Sequence, residues 1–278
     1  MTPPDLYRNR DFIPDFDAIM EETAARSHAL AARAEMRRDV IYGPSPRQRM
    51  DIVFPPNPAA GAPLHMFVHG GYWRAGSKEA HTLVAAPVIA AGGIAAIVGY
   101  DLMPATRLAP IVAQVRHAAR FLQNSASALG ADPARFTVSG HSAGAHLASL
   151  LAAHAPGDDA PDLPDLQGIL CVSGIYDLSG IPDSFLRNEA QMQHDEAAAW
   201  SPLSAHQLPV PKRIFSVGQE ETAPFHDQAH AMHELVENAG MVSTLRQEAR
   251  CNHLTIVLDL ADQNRPLGQC LADLVANS

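Results

Sequence analysis

The residues best suited to chemistry are Gly140, Ser142 and Gly144, which form the pattern Gly-x-Ser-x-Gly. A short apolar run at 135–139 precedes them, and a helix-like run at 145–153 follows directly. A serine on such a tight strand-to-helix turn takes a strained backbone conformation, and the glycines leave room for that turn. The pattern therefore predicts a nucleophilic serine at position 142, with its hydroxyl standing clear of a strand end.

A serine hydroxyl is a poor nucleophile until a base takes its proton, and a third group must orient that base. His253 lies after the last predicted strand and before the helical run 254–260, which is where such a site places its base. The chain holds 14 histidines, so a loop histidine without a role is the alternative. We expect His253 to be the base.

Three carboxylates compete for the orienting position. Glu220 and Glu221 follow the predicted strand 212–218, and the spacing Gly-x-x-Glu favours Glu221 over Glu220. Asp177, after the preceding strand, ranks third, and its other role is to cap a local turn. A carboxylate here would hold the imidazole tautomer and stabilise the imidazolium that forms during attack.

A second motif, His-Gly-Gly-Tyr-Trp at 69–73, joins a predicted strand to a predicted helix. The backbone N–H groups of Gly70 and Gly71 can turn towards a substrate there, and with the N–H of Ala143 they would form an oxyanion hole. A plain glycine turn is the alternative. Its occurrence about seventy residues before the serine, in the expected order, favours the oxyanion hole.

Residues beside these motifs are candidate substrate contacts. Tyr72 and Trp73 either shape a small acyl pocket, which would suit formyl or acetyl groups, or pack beneath a lid. His141 precedes the nucleophile and is a third expected substrate contact.

The elements that must position these residues alternate between strands and helices. Strands are expected at 38–42, 48–54, 64–68, 94–98, 135–139, 166–173, 212–218 and 241–247, and helices at 79–91, 109–129, 145–153, 224–239 and in two C-terminal segments. This alternation predicts an α/β fold with a mainly parallel sheet covered by helices on both faces.

Length and pattern predict one domain over residues 1–278. Residues 1–37 read as an N-terminal helical arm that covers a sheet edge or the mouth of a pocket. Residues 178–208 are irregular and polar, and we interpret them as an insertion that could form a small lid.

The composition of the chain limits the kinds of molecule that it is expected to bind. The net charge of −10 would repel phosphate backbones and anionic lipid headgroups, so we expect a small-molecule substrate and neither nucleic acid nor membrane partners. The first residues lack the apolar core of a secretory signal, and three cysteines are too few for a disulfide framework. We therefore expect a cytoplasmic protein, and the sequence leaves room for a homodimer.

No cofactor or metal is expected. His226, His230 and His233 have helical spacing and could be imagined as metal ligands, but no carboxylate completes a zinc arrangement, so a solvated helix face is favoured. Phosphate-loop and dinucleotide fingerprints are absent from the sequence. Cys251, two residues before the predicted base, is interpreted as a small buried filler.

Together these motifs resemble the kynurenine formamidases, or arylformamidases, of the α/β-hydrolase class. The resemblance covers about residues 40–265 and rests on five motifs: His-Gly-Gly-Tyr-Trp at 69–73, Gly-His-Ser-Ala-Gly at 140–144, Ser-Gly-Ile-Tyr-Asp-Leu at 173–178, Val-Gly-Gln-Glu-Glu at 217–221 and Asn-His at 252–253. It implies the α/β-hydrolase fold and hydrolysis of N-formyl-kynurenine or a related aryl formamide, with Ser142, the acid at 221 and His253 as the triad. The family usually has aspartate where this chain has Glu221. The related hormone-sensitive-lipase-like esterases usually read His-Gly-Gly-Gly where this chain has Tyr72.

The sequence thus predicts a serine hydrolase that cleaves a small acyl amide through an acyl-enzyme, with an aryl formamide as the favoured substrate. One alternative is a carboxylesterase acting on short-chain acyl esters, which would share every catalytic residue. The other is a non-catalytic ligand-binding protein with a hydrolase fold, which is disfavoured because serine, acid, histidine and oxyanion loop occur in the expected order.

Overall fold

A computed structural model of the chain describes residues 3–158 and 163–278. Its strands are β1 (Glu35–Ile41), β2 (Arg49–Phe54), β3 (Ala62–Val68), β4 (Ile94–Val98), β5 (Ala131–His141), β6 (Ala153–His154), β7 (Gly168–Val172), β8 (His206–Gln207), β9 (Lys212–Gly218) and β10 (Ser243–Glu248). Its α-helices are α1 (Phe16–Ala31), α2 (Ala85–Ala90), α3 (Leu108–Leu129), α4 (Ala143–Ser149), α5 (His194–Trp200), α6 (Ala223–Asn238), α7 (Thr255–Leu260) and α8 (Pro266–Ala276). Short 3₁₀ segments lie at Asn9–Asp11, Glu79–Val84, Phe185–Arg187 and Pro202–Ser204.

Eight of these strands form one sheet in the order β1-β2-β4-β3-β5-β7-β9-β10. Strand β2 pairs antiparallel with β1 and with β4, and the other neighbours pair in parallel. Every residue of β3, β4 and β7 is buried, because a parallel sheet is covered on both faces and its strands are continuous apolar runs. The predicted α/β fold with a mainly parallel sheet is confirmed.

Helices cover both faces of the sheet. Side chains of α3, α4, α5 and α6 pack on one face, and those of α1, α2, α7 and α8 pack on the other. Strand β3 serves both cores: Leu64 and Met66 point to the first and Phe67 to the second, as the two-residue period of a strand requires. The cores occupy the two faces, so the carboxyl ends of the parallel strands are left for a site.

The predicted helix 145–153 is too long. Helix α4 ends at Ser149, and β6 begins four residues later and pairs antiparallel with β8. The buried guanidinium of Arg116 donates to the carbonyl oxygens of Leu150 and Ala153, at 2.9 and 3.0 Å. These long-range bonds take carbonyls that a longer helix would use, and they override the high helix propensity of the alanine- and leucine-rich sequence.

The N-terminal arm and the 178–208 insertion both pack on the main body. Helix α1 lies against the Glu79–Val84 segment, where the Ser27 hydroxyl donates to the carbonyl of Ala80 at 2.8 Å. Strand β1 begins at Glu35, so the last three residues of the predicted arm of 1–37 belong to this strand. In the insertion, Glu196 of α5 accepts a 2.7 Å hydrogen bond from the N–H of Leu108 at the start of α3. A carboxylate at a helix N-terminus satisfies a free N–H and complements the helix dipole.

Within the described ranges, no helix is both long enough and apolar enough to cross a membrane.

Candidate active site

Ser142 occupies the turn between β5 and α4, with φ 56° and ψ −122°. The two flanking glycines make this turn possible. A Cβ at Gly140 would lie 2.2 Å from the carbonyl oxygen of Gly144, and a Cβ at Gly144 would lie 2.0 Å from that of Val68. Any larger residue at either position would therefore collide with backbone.

Three side chains from separate loops form a connected line. The Oγ of Ser142 lies 3.0 Å from Nε2 of His253, and Nδ1 of His253 lies 2.6 Å from Oε2 of Glu221. Because the carboxylate accepts a hydrogen bond from Nδ1–H and so fixes the tautomer, Nε2 is left to accept the serine proton. The structure thus brings together the serine, the histidine and the first-ranked acid of the sequence prediction.

The two other carboxylates lie elsewhere. Glu220 is exposed, and Oδ1 of Asp177 accepts a 2.9 Å hydrogen bond from the N–H of Ser179, which is the turn-capping alternative. Among the described residues, Glu221 is the carboxylate that contacts His253.

Glu221 is held by two donors on its second oxygen. Its Oε1 accepts from the N–H of Gly218 at 2.7 Å and from the hydroxyl of Ser173 at 2.5 Å. The side chain of Glu221 is 0% exposed. A Cβ at Gly218 would lie 2.3 Å from the carbonyl oxygen of Cys251, so a glycine is needed where the acid loop meets the loop of the histidine. The sequence motif at 173–178 contained Ser173 without indicating a role for it.

Aromatic rings surround His253. The ring of Phe225 lies 4.3 Å from the imidazole and that of His141 lies 4.8 Å away. Nε2–H of His141 donates to the carbonyl of His253 at 2.8 Å, which fixes the loop after β10. Burial lowers the pKa of His141 well below its ordinary value, and proximity to His253 adds to that shift, so His141 stays neutral.

The loop after β3 lies against the nucleophile. A Cβ at Gly70 would be 3.0 Å from Cβ of Ser142, and Gly71 has φ 114°. In the part of the chain that the structure describes, the N–H groups of Gly70, Gly71 and Ala143 donate to no other backbone group. Three free donors beside a serine Oγ suit a developing oxyanion.

Tyr72 and Trp73 have different surroundings although both have left-handed backbone, with φ 51° and 57°. Trp73 is fully buried, and its Nε1–H donates to Nδ1 of His146 at 3.1 Å, so it packs in the core. Tyr72 lines the pocket above Ser142; its hydroxyl donates to the carbonyl of Tyr7, and its ring meets Phe185 edge-on at 5.5 Å. His141 also lines the pocket.

The pocket encloses about 380 Å³. The loop 69–73, called the oxyanion loop after the predicted role of its N–H groups, contributes to the pocket wall together with the N-terminal arm and the 178–208 insertion. The arm and the insertion supply Arg8, Asn9, Arg10, Phe16, Met20, Phe185 and Glu189. The sequence predicted that the arm covers a pocket mouth or a sheet edge, but it did not single out these residues. The feature of the sequence that could have indicated them is the mixture of arginines and aromatic residues in the arm.

Charged side chains line this pocket wall. Arg8, Arg10 and Arg74 contribute to it together with one carboxylate, Glu189, while Arg8 and Arg10 pair with carboxylates outside the lining, Asp11 at 3.8 Å and Asp17 at 2.7 Å. Arg74 pairs with Glu189 at 2.6 Å, and its buried Nε has no hydrogen-bond partner among the described residues. The Arg74–Glu189 pair therefore presents one charge of each sign at the pocket wall.

The described ranges hold no group of three or more histidine, cysteine, aspartate or glutamate side chains arranged to bind a metal. Of the three histidines on α6, His233 contacts the Ser243 hydroxyl at 2.9 Å and approaches Glu237 at 3.4 Å. Cys251 is buried, and burial raises the pKa of its thiol to about 12, so it stays protonated.

Known proteins share this architecture. Residues 50–206, more than half of the chain, match the BD-FAE family model. A kynurenine formamidase from Danio rerio is 28% identical over 245 residues, which cover 86% of this chain and 82% of that protein. A candidate thioesterase from Silicibacter sp. superposes with a TM-score of 0.81 at 25% identity and covers 99% of both chains. An esterase from Pyrobaculum calidifontis superposes with a TM-score of 0.74 at 18% identity, over 94% of this chain and 93% of that one. The chain belongs to the BD-FAE family and is a serine hydrolase of the α/β-hydrolase fold, related to the kynurenine formamidases.

Proposed function

We propose that this hydrolase cleaves an aryl formamide such as N-formyl-kynurenine through an acyl-enzyme on Ser142. The observation that carries the proposal is the line from Glu221 through His253 to Ser142, with distances of 2.6 and 3.0 Å, opening into a pocket beside three free N–H groups. The kynurenine formamidase relative supports the choice of an amide.

In this mechanism the Oγ of Ser142 attacks the formyl carbon while Nε2 of His253 takes the serine proton. The N–H groups of Gly70, Gly71 and Ala143 bind the oxyanion, and the carboxylate of Glu221 stabilises the imidazolium. His253 then gives the proton to the departing amine, leaving a formyl ester on the serine. Water, activated by the same histidine, hydrolyses that ester to formate and restores the serine.

The pocket wall supports an aromatic leaving group with charged substituents. Tyr72, Phe16 and Phe185 offer ring surfaces, and the Arg74–Glu189 pair offers one charge of each sign. The leaving group of N-formyl-kynurenine carries an aromatic ring, a carboxylate and an ammonium. A carboxylate near Arg74 and an ammonium near Glu189 would each meet an opposite charge.

A carboxylesterase acting on short-chain esters is the second candidate, because the solved neighbours include an esterase and the same groups would attack an ester. The non-catalytic alternative is disfavoured, because the relatives include a kynurenine formamidase and an esterase and because the serine, histidine and carboxylate are connected.

The test compares kcat/KM for N-formyl-kynurenine with that for 4-nitrophenyl acetate. We expect the formamide to be preferred by at least about 100-fold, which corresponds to about 2.7 kcal/mol of transition-state preference. Turnover of the ester alone would make the protein a carboxylesterase. The Ser142→Ala variant is the control: it should lose nearly all turnover and labelling by a fluorophosphonate probe, and retained activity would remove Ser142 from the mechanism.

We propose further that the protein is cytoplasmic. Cys171, Cys251 and Cys270 are all free thiols, and a reducing compartment keeps thiols in that state. Fractionation of cells that express the tagged protein tests this, and recovery from a secreted fraction would contradict it.

A further inference from the structure

Ser173 stands at the end of β7 in a conformation that serine rarely adopts. Its φ is 51°, in the left-handed region, and the residue is fully buried. Glycine would take this backbone without strain, whereas a residue with a Cβ pays in free energy. A strained polar residue at a strand end beside a reactive site points to a function for its side chain.

The side chain of Ser173 contacts the carboxylate of Glu221. The Ser173 hydroxyl donates to Oε1 of Glu221 at 2.5 Å, and the N–H of Gly218 donates to the same oxygen at 2.7 Å. The other oxygen, Oε2, is thereby left for His253 at 2.6 Å. The N–H of Ser173 donates to the carbonyl of Ser216 at 2.7 Å, which fixes the end of β7 against β9.

We propose that Ser173 is a positioning residue for catalysis, which orients the carboxylate of Glu221 towards His253 and stabilises its anionic form. This inference rests on the proposed role of the Ser142, His253 and Glu221 side chains. A glutamate has one more rotatable bond than an aspartate, so its carboxylate needs more restraint to face one direction. Two donors on a single oxygen supply that restraint, and hydrogen bonds to an ionised acceptor are among the strong ones.

The inference makes a statement about pH. Adding one proton to the histidine–carboxylate pair cancels its net negative charge. The positive end of the Ser173 O–H dipole points at this pair and so favours the state without the added proton. Without the hydroxyl, the pair therefore takes up this proton at higher pH, whichever of the two groups carries it. A protonated pair cannot accept the proton of Ser142. The acidic limb of the kcat/KM profile should then move to higher pH.

Other titratable groups around the pair do not interfere. Burial lowers the pKa of His141 well below its ordinary value, and it raises the pKa values of Tyr72 and Tyr176 well above theirs. Burial also raises the pKa of the Cys251 thiol to about 12. These four groups stay neutral around neutral pH. Glu220 is exposed and is present in every variant, so its charge cancels in a comparison.

The experiment measures kcat/KM against pH for wild type, Ser173→Ala, Ser173→Gly and Ser216→Ala, on the better of the two substrates. Ser216 is the matched control: it is a buried serine on the neighbouring strand, and its hydroxyl donates to Glu248 at 3.2 Å and not to Glu221. We expect both changes at 173 to lower kcat/KM by about 10- to 100-fold. Both changes should move the acidic limb of the profile to higher pH by about one unit. Ser216→Ala should change neither kcat/KM nor the position of the acidic limb.

The two changes at 173 separate the hydroxyl from the backbone. Glycine relieves the left-handed strain and alanine keeps it, so a purely structural role predicts that the glycine variant is as active as wild type. Equal losses in both variants support the inference, and the glycine variant alone can decide it if the alanine variant does not fold. If the Ser173 variants keep the wild-type rate and the wild-type acidic limb, the inference is wrong. If Ser142→Ala is inactive in the same experiment, the proposed function is nevertheless retained. Activity of Ser142→Ala overturns both.

Discussion

Four of the eight described non-glycine residues with positive φ lie at or around Ser142. Tyr72, Trp73, Ser142 and Ser173 all have φ between 51° and 57°, and each belongs to a loop of the site. Such residues cost about 1–3 kcal/mol each and persist only where the surroundings hold them. Three of them have a hydrogen bond that does so: the Tyr72 hydroxyl to the arm, Trp73 to His146, and Ser173 to the acid.

The length and the charge of Glu221 can be tested separately. Glu221→Gln keeps the length but removes the charge, and we expect kcat to fall by about 10⁴-fold, the loss seen when the aspartate of a serine protease triad becomes asparagine. Glu221→Asp keeps the charge but withdraws the carboxylate by one methylene from its donors and from His253. We expect it to lose about 10- to 100-fold, because charge-assisted hydrogen bonds lengthen without disappearing.

Steady-state kinetics of both variants check this, with Glu220→Gln as the control. Glu220 is adjacent and exposed, so its variant should match wild type. If Glu220→Gln were the impaired variant and Glu221→Gln were active, the acid would have been assigned to the wrong residue.

Sequence spacing could predict that Ser142, Glu221 and His253 come together. Each lies one to five residues after a strand end, and parallel strands present those ends at one edge of a sheet. Ser173 could not be identified in this way. Its contact with Glu221 joins residues 48 positions apart, and a serine after a strand has many local uses. The spacing Gly-x-x-Glu favours Glu221 among the three carboxylates. The structure gives a physical reason for the glycine of that spacing, because a Cβ at Gly218 would lie 2.3 Å from the carbonyl oxygen of Cys251.

At the scale of elements, the segment 5–9 ties three loops together. The hydrogen bonds that do this run from the Tyr72 hydroxyl to the Tyr7 carbonyl, from the Thr222 hydroxyl to the Leu6 carbonyl at 2.7 Å, from the Phe185 N–H to Asp5 at 2.5 Å and from the Gln228 amide to the Tyr7 hydroxyl at 2.9 Å. The segment therefore contacts the oxyanion loop, the 178–208 insertion and the residue after the acid. Displacement of this segment would open the pocket.

Removal of one hydroxyl should loosen this segment. In Tyr72→Phe the ring remains against Phe185, but the bond to the Tyr7 carbonyl is lost. Because a neutral hydrogen bond contributes about 0.5–1.5 kcal/mol, we expect KM to rise about 3- to 10-fold with a smaller change in kcat. Steady-state kinetics and limited proteolysis of the N-terminal segment measure the two effects.

Tyr42→Phe is the matched control for that change. Tyr42 is also buried, and its hydroxyl donates to the carbonyl of Gly99 at 2.5 Å, away from the pocket lining. Its variant should lose similar stability and keep the wild-type KM. Equal effects of the two variants on KM would show that the arm contact has no special part in substrate binding.

Sequence could predict the sheet because its parallel strands are apolar runs separated by helices of regular period. Strands β6 and β8 were missed, since each has two residues and their pairing depends on contacts across the fold. The end of α4 was missed for a related reason. Helix propensity of residues 150–153 is high, and only the buried Arg116 shows that their carbonyls are used otherwise.

At the scale of the whole molecule, several histidines are buried as neutral groups. His65 lies between the hydroxyls of Thr137 and Ser139, at 2.8 and 2.7 Å. Burial lowers the pKa values of His65 and His69 to about 3 and that of His146 to about 4. An unfolded chain would protonate all three near the ordinary histidine value of about 6.5.

These depressed values predict how stability depends on pH. Above about pH 6.5 both states hold the three histidines neutral, and their contribution is constant. Below about pH 6.5 the unfolded state binds protons that the folded state does not bind. Stability therefore falls as the pH drops towards the pKa values of the folded state, about 3 to 4. At pH 5 each of these histidines lowers the free energy of unfolding by about 2 kcal/mol relative to neutral pH, and the three together lower it by about 6 kcal/mol. The total stability of a typical protein is about 5–15 kcal/mol.

Urea denaturation between pH 7.5 and 5 measures this dependence. We expect the free energy of unfolding to decline by about 1.4 kcal/mol per pH unit for each buried histidine once the pH is well below 6.5. His65→Asn should reduce that slope by about one proton, whatever it does to stability at pH 7.5, because the slope counts protons and not contacts. His230→Asn is the control for the substitution itself, since this histidine is exposed on α6. A free energy of unfolding that stayed constant from pH 7.5 to 5 would mean that the folded protein binds protons at these histidines as readily as the unfolded chain. The burial of His65 and His146 opposes that outcome.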